Sequence, residues 1–227
     1  MDKKSLLIFW RSMSSILLVL LILNVGRNSQ LLRERERSDR DQWIEIEATK
    51  MQVPGIAKYM MIVKEIDLAA KDKLSAYEIT EIAKIIIEQC HLNSDIGLTP
   101  ALILAIIERE SNFDPDVVSY AHAYGLMQII ETTWAIHADE AGYGHFTKEI
   151  ALDPIVNVQI GVKELIRLRK YWLENEVDSW MITVNSYFWG TTNVWTMLNS
   201  KKRGNLPSLE YGKGIIDLAK KWRERGV

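Results

Sequence analysis

Residues 101–107 read Ala-Leu-Ile-Leu-Ala-Ile-Ile, which is apolar on every side of a helix. A folded domain can hold such a helix only by burying all its faces, so other elements must wrap it. Thr99-Pro100 opens it, an N-cap hydroxyl followed by proline at the first helical position. The run ends in Glu108-Arg109-Glu110-Ser111-Asn112-Phe113-Asp114-Pro115, where Pro115 disfavours helical geometry at Asp114. The spacing predicts a buried central helix with carboxylates at its C-terminal end.

Glu110 lies three and four residues after Ile107 and Ile106 and shares their apolar face. Glu108 points to another side and reads as a surface carboxylate. Glu110 also falls in the last turn, where the helix dipole is negative. Apolar surroundings and the dipole both disfavour the ionised form, so both raise its pKa. A carboxyl protonated near neutral pH is what a general acid for glycosidic cleavage requires. From these residues alone two roles stay open: that acid, or a glutamate reaching solvent at a helix end.

The flanking sequence is helical throughout, with few strand signals. Ser75-Ala76-Tyr77-Glu78 is a capping box opening a helix through Ile79, Ile82, Ile86 and Cys90. Asp153-Pro154 caps a helix with Ile155, Val158, Val162, Leu165 and Trp172 on one stripe. Ser179 to Tyr187 is another, and Ser208 opens a last one with Tyr211, Ile215, Leu218 and Trp222 inward. Trp172, Trp180, Trp195 and Trp222 read as core, whereas Tyr124, Trp134 and Trp189 are candidates for stacking on the rings of a ligand.

Charge narrows the function. The net charge is -2, but residues 97–200 carry 6 basic and 13 acidic side chains. A segment this acidic repels phosphate backbones, which argues against nucleic acid as a partner. Cys90, the sole cysteine, precludes a disulfide framework and a cysteine zinc site, and as part of an apolar stripe it reads as packing. His137 and His145, with Asp139 and Glu140, have no helical ligand spacing, and Gly142 and Gly144 read as a loop between them. No metal is expected, and no phosphate loop or dinucleotide turn is present.

The N-terminus reads as an anchor. Residues 6–25 form an apolar stretch interrupted by Arg11, with Ile16 to Leu23 as its centre. Twenty helical residues just cover a hydrocarbon core of about 30 Å. The exit around Leu23-Asn24-Val25-Gly26-Arg27 offers no convincing pair of small residues for a signal peptidase, so an uncleaved anchor is expected. Arg27, Arg33, Arg35, Arg37 and Arg40 follow it, so the positive-inside rule taken alone points the wrong way for an exported domain. Residues 31–52 alternate arginine with acidic residues and read as a solvated helical stalk. The expected organisation is an anchor over 1–27, a stalk with connecting helices over 28–95, and a catalytic domain over 96–227.

Four motifs then follow in order: Glu110-Ser111-x-Phe113; Gly125-Leu126-Met127-Gln128-Ile129; Asp153-Pro154-x-x-Asn157 with Gly161; and Ser186-Tyr187-Phe188-Trp189-Gly190. Together they resemble the transglycosylase SLT domain of lytic transglycosylases, relatives of goose-type lysozyme. The likeness covers roughly residues 98–198, with 206–211 resembling the family's closing segment. Phe188 stands where that family usually has Asn, Trp189 where a small residue is usual, and Glu131 where a proline is usual. An alternative register places Asn185 at the family Asn but loses Tyr187 and Gly190.

The resemblance implies an all-α, lysozyme-like domain behind an N-terminal transmembrane helix and a helical stalk. It implies Glu110 as the single acid/base, Ser111 near the scissile bond, and Gly125, Leu126, Met127 and Gln128 as a cleft wall meeting N-acetyl groups. Tyr187 would hydrogen-bond the catalytic carboxyl. The implied reaction cleaves the MurNAc–GlcNAc β-1,4 bond of peptidoglycan and leaves a 1,6-anhydromuramic end, with no cofactor. A hydrolytic glycosidase normally uses two carboxylates, so a water-using muramidase is the close alternative, with Asp114, Asp116, Glu131, Asp139 and Glu140 as candidate second carboxylates. A catalytically weak wall-binding scaffold is the other. Expected partners are peptidoglycan strands and a membrane, with an envelope-spanning assembly or phage machinery as a candidate; the expected place is the bacterial inner membrane, facing the periplasm.

Overall fold

The computed structural model describes residues 56–199 and 209–227. The expected anchor and stalk, and the Ser208 helix start, lie outside the described residues. Among the described residues no helix is long and apolar enough to cross a membrane.

The described residues form helices joined by loops: α1 (Ile56–Ala70), α2 (Ala76–Leu92), α3 (Pro100–Ser111), α4 (Glu131–Ala141), α5 (Lys148–Leu152), α6 (Pro154–Glu174), α7 (Trp180–Trp189), α8 (Thr191–Asn199) and α9 (Leu209–Glu224). Only isolated bridges, Val118 with Tyr124 and Tyr124 with Ile129, interrupt the all-α pattern among them. Local chemistry sets several boundaries. The Ser75–Glu78 capping box opens α2 as expected, and Asp153 Oδ1 accepts from Ile155 and Val156 at the start of α6. At α3 the Thr99 hydroxyl makes no cap bond, so Pro100 alone marks the start. The helix stops before Pro115 can act, because Asn112 and Phe113 both turn left-handed, at φ 51° and 58°.

Ala101 to Ile107 are all buried, as a helix apolar on every side demands. The wrapping is supplied by α2 and by α9, and α9 in turn packs on α7, α7 on α6, and α6 on α2. Gly212 permits the α9–α7 approach, since a Cβ there would lie 2.3 Å from Asn185 Nδ2. The described residues form one compact unit. Tyr59, Ile62 and Ile66 of α1 and Ile79 and Ile86 of α2 are sealed in its core. These two helices, read from the sequence as connectors ahead of a domain starting at 96, therefore belong to the same body. Beyond Gly190 (φ 78°) the chain enters α8 at once.

Candidate active site

Glu110 closes the last turn of α3 and lines a cleft of about 440 Å³ with Ser119, Gln128, Thr133, Glu164, Tyr187 and Phe188 among its walls. Burial raises its pKa above the ordinary carboxylate value, against a hydrogen bond from Tyr211 and the charge of Arg109, both of which lower it. The direction is the one its apolar neighbours dictate. Its partner differs from expectation. The phenol that donates to Glu110 Oε1 is Tyr211, from α9. Tyr187 donates instead to the Met127 carbonyl at 2.8 Å, while feeling the charges of both Glu110 and Glu164. Glu108 is not a free surface group either, since it accepts from Trp222 Nε1 at 2.7 Å and ties α3 to α9.

The loop from Val117 to Ile129 forms one wall, and Asn157 of α6 clamps it. Asn157 Oδ1 accepts from Met127 N at 2.7 Å, and its Nδ2 donates to the carbonyls of Tyr124 and Ala151, each at 2.7 Å. A Cβ at Gly125 would lie 2.5 Å from Asn157 Nδ2, and one at Gly161 would lie 2.5 Å from Met127 Sδ. Both glycines are therefore demanded by close approach, Gly125 also by φ 72°. This clamp explains physically why Gly125, Asn157 and Gly161 occur together.

The sequence-derived site residues divide. Glu110, Gln128 and Tyr187 meet at the cleft. Leu126 and Met127 are fully buried, and the Met127 N–H and C=O are already bonded to Asn157 and Tyr187. Gln128 spends both amide hydrogens on Val117 O and Gly125 O, leaving only its Oε1 for a ligand. Ser111 is buried, and its hydroxyl donates back to Ile107 O at 3.1 Å. Trp134, expected to stack on sugar, is buried against Tyr143 and Phe146 and donates to Gly144 O. Tyr124 is partly buried and meets Phe146 edge-on, whereas Trp189 is exposed, as a stacking residue must be.

Three features escaped the sequence. Tyr211 reads as one more inward residue of α9, yet its hydroxyl reaches Glu110. Glu164, of α6, lines the cleft with its pKa lowered: burial opposes this, but hydrogen bonds and charge from Arg167 and His137 prevail. His137 is not a loop histidine but a buried residue of α4, 2.8 Å from Glu164 Oε2. No group of three His, Cys, Asp or Glu suited to a metal occurs among the described residues.

The model of the transglycosylase SLT domain matches residues 92–206, half of the chain. The chain belongs to the transglycosylase SLT family. Among its relatives, membrane-bound lytic murein transglycosylase C of Salmonella typhimurium is 29% identical over 111 residues, covering 47% of this chain and 31% of that protein. Its counterpart in Actinobacillus pleuropneumoniae serotype 5b is 40% identical over 80 residues, covering 34% and 22%. The chain thus spans under a third of the length of these relatives. An inactive mutant of the lytic transglycosylase Slt from Pseudomonas aeruginosa shares the fold, with a TM-score of 0.50 and 19% identity over 60% of this chain and 23% of that one. For a member of the SLT family, the wall from Gly125 to Gln128 and the carboxyl of Glu110 fall inside the matched region. Tyr211, which holds that carboxyl, falls outside it.

Proposed function

We propose that this SLT-family chain is a membrane-anchored lytic transglycosylase that cleaves the MurNAc–GlcNAc β-1,4 bond of peptidoglycan. The observation that carries the reading is Glu110 itself: a carboxyl at the cleft, its neutral form favoured by burial and its Oε1 held by Tyr211. In this mechanism Glu110 protonates the glycosidic oxygen, so the C1–O bond breaks with its electron pair on the leaving sugar. The N-acetyl group of the substrate supports the positive charge at C1. The ionised Glu110 then takes the proton of the muramic 6-hydroxyl as that oxygen bonds C1, giving the 1,6-anhydro end and restoring the acid. Gln128 Oε1 and the half-exposed Phe188 and Trp189 are the groups offered to the sugars.

A second reading, hydrolysis, is favoured by one observation: Glu164 brings another carboxylate to the same cleft. Its oxygens are engaged by Arg167 and His137, which is why the single-carboxylate mechanism is preferred here. Mass analysis of the products released from sacculi by the full-length chain tests the proposal. Anhydromuramic ends are expected; reducing ends would establish hydrolysis, and no release would leave a binding protein. The anchor rests on the apolar residues 6–25, and relatives bear membrane-bound names. Retention of the chain in membranes through carbonate extraction is expected, with the C-terminal domain digestible in spheroplasts.

A further inference from the structure

Glu164 lies outside the motif series, yet it is the other carboxylate of the cleft. It sits within α6 with 10% of its side chain exposed, and it lines the cavity that holds Glu110. Its hydrogen bonds leave one position unfilled. Oε2 accepts two, from Arg167 Nε at 2.8 Å and from His137 Nε2 at 2.8 Å. Oε1 accepts one, from Arg167 Nη2 at 2.7 Å. An ionised carboxylate offers about four lone-pair positions, so Oε1 keeps one.

Stability alone does not account for this arrangement. A buried ion pair is weak support for a fold, because desolvation offsets most of the attraction, and apolar packing of similar volume does as well or better. The neighbouring Leu165 and Leu168 are fully buried in that way. Arg167 already balances the charge of Glu164, so the open position calls for a neutral donor and not a cation. In a sugar cleft the neutral donors are hydroxyls and acetamido N–H groups.

Building on the reading of the cleft as a glycan site, we propose that Glu164 is a substrate-binding residue whose open Oε1 position accepts a hydrogen bond from a glycan hydroxyl or acetamido N–H. Arg167, one turn along α6, and His137, from α4, are positioning residues that fix the carboxylate's orientation. Glu164, Glu110 and Tyr187 line one cleft, so the new contact belongs to that cleft and is not a remote surface site.

The test is binding in a protein that cannot turn over. Full-length Glu110→Gln chain in detergent is titrated with a soluble tetrasaccharide of alternating N-acetylglucosamine and N-acetylmuramic acid. Adding Glu164→Gln is expected to weaken binding about tenfold. Unchanged affinity, with or without a lower melting temperature, would assign Glu164 to structure only and overturn the proposal. Should Glu164→Gln fail to fold, Arg167→Gln takes its place, since the Arg167 side chain is 41% exposed. There the carboxylate remains but loses its fork, and affinity is expected to fall at least threefold; equal affinity overturns the proposal. No binding by the Glu110→Gln chain with Glu164 intact would sink the glycan reading of the whole cleft, and this inference with it.

Discussion

The hydroxyl of Tyr211 donates a hydrogen bond to Oε1 of Glu110, joining α9 to the last turn of α3 across 101 residues of chain. The bond gives the carboxyl one fixed orientation at the cleft and leaves Oε2 for the proton that the proposed mechanism transfers. Removing the hydroxyl with Tyr211→Phe should cost about 1 kcal/mol of stability and about tenfold in turnover. Because that bond lowers the pKa of Glu110, its loss should move the alkaline limb of the activity profile to higher pH. Tyr187→Phe should cost similar stability through its lost bond to Met127 O, with a smaller effect on turnover. Steady-state rates across pH for both variants provide the check. A larger loss in Tyr187→Phe would restore it as the partner of Glu110 during reaction.

Glu110 should also leave a signature in stability. Its folded pKa is raised by burial above the unfolded value of about 4.3. Stability from the neutral form is then fully present below the ordinary carboxylate range and is lost as pH rises through the folded pKa. Glu110→Gln cannot ionise, so the melting temperature of the native chain relative to this variant should fall as pH rises above the ordinary carboxylate range and through the raised folded pKa. The same substitution should reduce wall cleavage on the order of a hundredfold or more, because the amide neither gives nor takes the proton. A pH-independent difference in melting would mean that Glu110 ionises like a surface carboxylate.

Asn157 offers a test of the cleft wall that leaves Glu110 untouched. Three hydrogen bonds at 2.7 Å converge on its amide. Asn157→Ala should destabilise the domain by about 3 kcal/mol, roughly one for each bond. It should also loosen the stretch from Gly125 to Gln128, visible as faster amide exchange at Met127, whose N–H loses its acceptor. Gly161→Ala should do comparable damage by another route, forcing the Met127 side chain from its place for about 1–3 kcal/mol. Denaturant midpoints measure both, and a neutral Asn157→Ala would refute the clamp.

These relationships separate what a sequence displays from what it hides. The buried helix, its carboxyl, the Ser75 capping box and the Asp153 cap were legible because each depends on residues within a turn or two. The raised pKa of Glu110 followed from the same local neighbours. Tyr211 was hidden because the inward stripe of α9 says which side packs and not what it packs against. Trp134 misled for a related reason: only the fold of the 143–146 loop over its ring decides that the indole is buried. His137 and Glu164 are 27 residues apart, on α4 and α6, and no local pattern announces that they meet. Thr99 had the right chemistry for a cap, but its backbone start was sufficient without the side-chain bond.

Phe188 is where the departure from the family pattern can be tested. Its ring stacks on Tyr211, with centroids 4.5 Å apart and planes 15° from parallel, and it is 52% exposed at the cleft. The ring therefore does two things: it holds the phenol that holds Glu110, and it presents an apolar face to the cleft. An aromatic pair of this kind contributes about 0.5–1.5 kcal/mol, so Phe188→Ala should lower kcat/KM roughly two- to tenfold. Phe188→Leu keeps apolar area but not the stack, so it separates the two roles. If stacking on Tyr211 matters most, Phe188→Leu should lose kcat as Phe188→Ala does. If sugar contact matters most, Phe188→Leu should keep kcat and change mainly KM. Wild-type kinetics in both variants would remove Phe188 from the site and leave Tyr211 positioned by α9 alone.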